Sequence, residues 1–221
     1  MDRIPEPELM DDPVQALAYA RADFAAPHNN FIAVFRARFP DWSGTGHVLD
    51  LGCGPGDICQ RFARAYPDTH IHGVDAAPAM LSIGREDMRT AHLVDRVQLI
   101  EGYLPGATLP RTCYDAVISN SLLHHLNDPQ ALWQSILNHA LPGAPVFVMD
   151  LRRPDSEASA ALLTDLYAAD EPDILRNDFY HSLLAAYRVD EIQTQLRSAG
   201  IDWLTIVSLG DRHVTAYGTP P

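Results

Sequence analysis

Apolar positions along the chain switch between a strand period and a helix period, and the switches outline alternating β and α elements. Val48, Leu49 and Leu51 end a buried strand, residues 52–56 read Gly-Cys-Gly-Pro-Gly and form a turn too tight for side chains, and Ile58, Cys59, Phe62 and Ala63 recur at helical spacing. That helix, over 58–66, stops before Pro67. A second strand over 70–75 follows, Pro78 opens a helix reaching the Met88 region, and 97–101 is a short third strand. Residues 105–112 carry proline, glycine and threonine and read as a loop.

The fourth strand, over 114–119, is the central one, with Ser119 and Asn120 at its carboxyl end. Asp128 and Pro129 then cap a helix running to about Ala140, which Pro142-Gly143 ends. Residues 145–151 are apolar enough to be buried on both faces. Two helices over 155–169 and 172–187 come next, and a third over 189–199 carries Val189, Ile192, Leu196 and Ala199 before the stop at Gly200. Alternation over 203–208 and 214–218 closes the chain as a strand pair around Gly210-Asp211. At the other end, residues 1–12 read as a mobile tail and 13–39 as two helices split near Pro27. The pattern predicts a doubly wound α/β fold with no internal linker, so that 1–221 form one domain.

Composition changes this picture little. The 221 residues are 47% apolar, enough for a substantial core, and no run approaches the ~18 apolar residues of a membrane span. The start, MDRIPEPELMDDP, is acidic and proline-broken where a secretory signal is basic and then apolar, and a cytoplasmic location is expected. Cys53, Cys59 and Cys113 are too few and scattered for a disulfide framework and read as small buried thiols. Net charge is −13, with arginine supplying every basic side chain, so the surface repels phosphate backbones. No nucleic-acid partner is expected, and small or neutral substrates are favoured.

Three glycines alternating with other residues let a backbone approach a ligand closely, with N–H groups meeting it at a helix start. Asp50 precedes the first of them, and Asp75 closes the second strand about 20 residues or more further on, where doubly wound folds hold ribose hydroxyls. A dinucleotide fingerprint has two residues between its last two glycines, to seat a pyrophosphate; this turn has a single residue there, which disfavours a nicotinamide dehydrogenase.

The spacing Asp50-Leu51-Gly52-Cys53-Gly54-Pro55-Gly56 resembles the first motif of class I S-adenosylmethionine-dependent methyltransferases. The resemblance continues through residues 74–81, 114–120 and 123–129 and ends with 140–144. It implies a seven-stranded, mostly parallel, Rossmann-like sheet whose last strand is antiparallel, and the chain has seven strand-like segments. It also implies S-adenosylmethionine as cofactor, with Asp75 on the ribose hydroxyls, the backbone of Gly52, Cys53, Gly54 and Gly56 near methionine and ribose, and Asp50 orienting that loop and the ammonium group. Ala76, Met80, Gly102, Tyr103, Ser119 and Asn120 complete the expected cofactor site. At Gly102-Tyr103 the family commonly has Gly-Asp, the acid meeting the adenine amino group. Here Tyr103 either lies against the adenine face or is an ordinary loop residue, with Glu101 or a later group replacing the acid.

Family methyltransferases commonly cover the methionine end with N-terminal helices, here the cap over 1–40, so Tyr19, Phe24 and His28 are candidates to face the site. For Tyr19 the alternative is simple packing of the helices onto the domain, and for Phe24 packing is the preferred reading. Helices inserted over 152–188 would form a lid over the acceptor, with Asp178, Phe179, Tyr180 and Tyr187 as candidates by analogy. His124 and His125 are the best-placed candidate bases, one of them pointing inward; a loop-holding role is the alternative. Being adjacent, they lack the i, i+4 spacing of helical metal ligands, and no metal is expected. Arg152 and Arg153 read as a solvated strand edge, and 211–213 as hairpin-turn chemistry with a salt bridge. The resemblance implies methyl transfer to a small molecule at oxygen, nitrogen, carbon or sulfur by a monomer or homodimer. A second reading, a non-catalytic methyltransferase-like domain acting through partners, draws on Tyr103 in place of the acid.

Overall fold

The computed structural model describes residues 1–7 and 9–221. Its elements run α1 (Pro13–Arg21), α2 (Ala25–Arg38), β1 (Thr45–Leu51), α3 (Asp57–Ala65), β2 (Asp68–Asp75), α4 (Pro78–Thr90), β3 (Val97–Glu101) and β4 (Ala116–Asn120). A 3₁₀ turn over Leu123–His125 precedes α5 (Gln130–His139), β5 (Val146–Leu151), α6 (Glu157–Tyr167), α7 (Asp173–Ala185), α8 (Val189–Ser198), β6 (Thr205–Leu209) and β7 (His213–Gly218).

The strands form one sheet in the order β3-β2-β1-β4-β5-β7-β6. Pairs β1–β2, β2–β3, β1–β4 and β4–β5 are parallel, while β7 runs antiparallel to both β5 and β6. The chain winds outward from β1 to β3 and returns to β4 on the other side of β1. Strand order therefore reverses between β1 and β4, and the crevice beyond their carboxyl ends is where such sheets bind ligands.

Helices on both faces account for the strand sequences. Every residue of β5 is buried, as a parallel strand covered twice requires. One core layer joins α2, α3 and the sheet through Phe35, which meets Phe62 edge-on at 5.0 Å, and Phe31, which meets Phe147 at 4.8 Å. Edge-to-face pairs of this kind add about 0.5–1.5 kcal/mol to the area they bury. The opposite layer packs Trp133 and Ile136 of α5 against Ile192 and Leu196 of α8. The Trp133 indole N–H finds a buried partner, Nε1 donating to Gln195 Oε1 at 3.0 Å.

Several expectations are corrected. The N-terminal residues are docked rather than trailing. Arg3 donates to the carbonyls of Ala185, His124 and Leu126, and the Ile4 N–H to Leu184 O. Asp12 caps α1, accepting from Val14 and Gln15 N–H. The break between α1 and α2 falls at residues 22–24 rather than near Pro27, which sits in the first turn of α2 where a missing N–H costs nothing. Arg153 is buried, donating to Ala186 O and pairing with Glu191, so it belongs to the base of α8 and not to a solvated edge. Tyr187 is no lid residue either: its hydroxyl donates to Leu126 O at 3.0 Å beneath the Arg3 guanidinium. The 211–213 turn does carry an ion pair, Arg212 to Asp211 at 3.4 Å. No helix among the described residues is long and apolar enough to cross a membrane.

Candidate active site

The β1–α3 connection is built by glycine conformations. Gly52, Gly54 and Gly56 have φ of +72°, +52° and +82°, a region side chains resist, and Gly56 starts α3. The Gly52 and Cys53 N–H groups donate to Val74 O at 2.9 and 3.0 Å, strapping the turn across the tip of β2. From that tip Asp75 takes the Gly54 N–H on Oδ2 at 2.7 Å and the Ala77 N–H on Oδ1 at 2.9 Å. Burial raises the Asp75 pKa, and these amides offset part of the rise. Its remaining lone pairs are free to accept hydroxyls.

Asp50 is only 1% exposed, and its one side-chain partner among the described residues is the Cys59 thiol, which donates to Oδ2 at 3.0 Å. Burial pushes its pKa up to about 7. A buried carboxyl with no cation beside it among the described residues is a ready counter-charge for an incoming ammonium group. It also predicts a pH effect. The unfolded chain releases this proton near 3.8 and the fold keeps it to about 7, so native stability falls as pH rises through that window. Melting curves of the cofactor-free protein should show this slope reduced in Asp50→Asn; an identical slope would mean that Asp50 is ionised in the fold.

A cavity of about 730 Å³ opens on this turn. Asp50, Gly52, Cys53, Gly54, Asp75, Ala76, Met80, Gly102, Tyr103 and Asn120 all line it, as expected of cofactor residues. Two expected members do not. Ser119 is buried inside the sheet, its hydroxyl donating to Leu51 O at 2.8 Å, so it ties β4 to β1. Gly56 stands behind the wall as the α3 N-cap. Tyr103 is 64% exposed on the rim.

A second cavity of about 320 Å³ lies next to the first, with Met149, Leu151, Tyr167, Leu175 and Phe179 on its apolar side and His124, Glu171, Arg212 and His213 among its polar lining. Asp178 also lines it, while Tyr180 packs instead against the α6–α7 core. Met10, Tyr19, Asp23, Phe24, His28, Asn120, Ser121 and His125 line both cavities and so form their shared wall. Tyr19 packs on Phe24 with the rings tilted and their centres 4.8 Å apart, and burial, with Asp57, Asp75 and Asp150 nearby, pushes its phenol up to about 12. At neutral pH it is a donor and not a base. His28 is held by Asp57, 2.5 Å from its Nδ1.

The two histidines do not diverge as expected of neighbours in a turn: their rings lie 4.2 Å apart and both line the second cavity. His124 is buried, lines only the second cavity, and sets Nδ1 2.5 Å from Asp150 Oδ1. Burial lowers its pKa, but Asp150 and Glu6 outweigh that and the net shift is upward. His125 is pushed down to about 3 by burial and by His124. Sequence reasoning missed Asp150 and Glu6 at these rings. Asp150 was visible as an acid ending a wholly apolar strand; nothing local marked Glu6.

A glycine turn with flanking acids at a strand-order reversal defines a domain for an adenosine-type cofactor. The methyltransferase-domain family model matches residues 48–143. Over 156 residues the chain is 29% identical to the ubiquinone biosynthesis O-methyltransferase of Xylella fastidiosa, covering 70% of this chain and 60% of that protein. It is 28% identical over 122 residues to the ubiquinone/menaquinone biosynthesis C-methyltransferase of Shewanella halifaxensis, covering 55% of this chain and 48% of that one. The matched part thus spans about half to three-fifths of these relatives. The plantazolicin methyltransferase BpumL, solved in complex with a desmethyl-plantazolicin analogue and SAH, superposes with a TM-score of 0.70 over 95% of this chain and 91% of its own, at 12% identity. Residues 48–143 match the methyltransferase-domain family, and the chain as a whole has the fold of solved S-adenosylmethionine-dependent methyltransferases.

Proposed function

We propose that the protein transfers the methyl group of S-adenosylmethionine to a small, largely apolar acceptor. The observation that carries this reading is the shared wall: the cavity on the glycine turn adjoins a second one with an apolar side, so cofactor and acceptor can meet across Tyr19, Asn120 and His125. The cofactor supplies a methyl already activated on a sulfonium. The chain's own work is to align an acceptor with it and exclude water.

In this reading Asp75 accepts the ribose hydroxyls, Asp50 faces the ammonium group, and the Gly52–Gly54 backbone lies against the cofactor. Ala76, Met80 and Gly102 pack around it, with Tyr103 on the adenine side. Tyr19 donates a hydrogen bond at the acceptor, and the helices over 1–40 and 152–188 enclose it within one domain, 1–221. Relatives named for transfer to oxygen and to carbon leave both atoms open for this chain. The reading places the protein in the cytoplasm, as a monomer or homodimer with no nucleic-acid partner.

Purified protein titrated calorimetrically with S-adenosylmethionine and S-adenosylhomocysteine should bind both. A panel of phenols, amines and thiols, followed by release of S-adenosylhomocysteine, should then yield a substrate. Binding without turnover on any panel member would favour the second reading, a cofactor-holding partner protein, which Tyr103 in place of the family's acid supports. Binding of neither ligand would overturn the cofactor site itself.

A further inference from the structure

The N-terminal segment and the turn after β4 bring three metal-ligating groups together beside the second cavity. Glu6 Oε1 lies 3.2 Å from His125 Nδ1 and 3.6 Å from His124 Nε2, and the three ligand atoms all fall within 4.8 Å of one another. A tetrahedron with metal–ligand bonds of about 2.0–2.1 Å has edges of roughly 3.3–3.4 Å. The two measured separations bracket that edge. We propose that Glu6, His124 and His125 bind one divalent transition-metal ion of the Zn²⁺ class, leaving a fourth position for water or an acceptor heteroatom.

The surroundings are those of ligands, not of a self-satisfied cluster. His125 Nδ1 is buried with no hydrogen-bond partner, despite its closeness to Glu6. His124 Nδ1 faces Asp150, so the neutral ring that carries its proton there turns the Nε2 lone pair toward Glu6; a carboxylate behind a ligating imidazole is the usual support of such sites. Asp150 is held in turn by the Leu123 N–H on Oδ2 at 2.7 Å. The Pro7 carbonyl engages the His125 ring. Glu6 is held by the Ser182 hydroxyl, 3.1 Å from Oε1 and 3.3 Å from Oε2. Three electron-pair donors therefore face one another, an arrangement that a cation resolves. Arg3 and its positive charge lie nearby, but the carboxylates of Glu6, Asp150 and Asp178 outnumber it. An imidazole–imidazole–carboxylate set suits zinc and its first-row neighbours better than magnesium or calcium.

Residue spacing pointed away from metal because adjacent histidines cannot share a helix face. The third ligand comes instead from the chain's first turn onto the body of the fold, and the ion would clamp that segment to the second cavity. The inference stands independently of methyl transfer.

The test uses the whole chain, stripped with a chelator and titrated with Zn²⁺ by calorimetry and with Co²⁺ by visible absorption. The expected result is one ion per chain, with the intense visible bands of four-coordinate Co²⁺. Glu6→Gln, which keeps the shape and the Ser182 contact, should weaken Zn²⁺ binding by about 100-fold or more, and His125→Gln serves as a second variant should the first fail to fold. His47 and His70 pair across β1 and β2 with rings 5.4 Å apart, at the opposite end of the sheet, and a His47→Asn/His70→Asn variant should bind the ion unchanged. No binding by the wild type, unchanged binding in both Glu6→Gln and His125→Gln, or loss only in the His47/His70 variant would each overturn the proposal.

Discussion

Asp75→Ala should lower affinity for S-adenosylmethionine by about 1.5–3 kcal/mol, roughly 10- to 150-fold, the range for losing hydrogen bonds to a charged group. Two losses combine. The carboxylate accepts from Gly54 and Ala77 N–H, so its removal leaves two amides at the cofactor turn without that partner and loosens the backbone that the cofactor must meet. It also removes the only side-chain carboxyl at the tip of β2, where ribose hydroxyls are expected. Asp75→Asn separates the two. Its amide oxygen can still serve one N–H, but its NH₂ then faces the other N–H as donor to donor, so the variant should bind better than alanine and worse than wild type. Calorimetric titration of folded protein reads both effects. An Asp75→Ala variant that binds with wild-type affinity would remove this residue from the site.

The central unit of the fold was legible because its signals are local. Strand, glycine turn and helix over β1 and α3 follow within about twenty residues, and the positive φ values found at Gly52, Gly54 and Gly56 are what alternating glycines foretell. The same holds for β3, which spans the expected 97–101, and for Gly200, whose φ of +72° ends α8 as a left-handed cap. What stayed hidden depends on contacts distant in sequence. Arg3 reaches the carbonyls of His124 and Ala185, 121 and 182 residues away, from a proline-rich stretch with no periodicity of its own. Glu6 and Asp150 meet His124 in the same way. Ser119 misled because the end of a central strand has two kinds of neighbour: its carboxyl end borders the crevice, while its side chain turns into the sheet toward Leu51. One error was avoidable. Asp23 accepts the Ala25 N–H at 2.9 Å, and an acid four residues before Pro27 was a better marker of the α2 start than the proline.

Gly52 and Gly54 should respond to alanine in opposite ways, and the contrast separates folding from binding. At Gly52 a Cβ would stand 2.6 Å from Leu122 Cδ1 and 2.8 Å from two further Leu122 carbons, at a φ of +72°. Left-handed strain of about 1–2 kcal/mol and overpacking of about 1–3 kcal/mol make Gly52→Ala a stability mutant, with a marked drop in Tm. At Gly54 the same atom meets no protein atom within 4 Å, and only the strain of φ +52° remains. Because Gly54 lines the larger cavity, its added methyl enters the space the cofactor would fill. Gly54→Ala should therefore keep its fold at a cost of about 1–2 kcal/mol while losing about tenfold or more in cofactor affinity. Wild-type affinity in a folded Gly54→Ala protein would show that the bound cofactor stays clear of this turn, and the close approach on which the site rests would be lost with it.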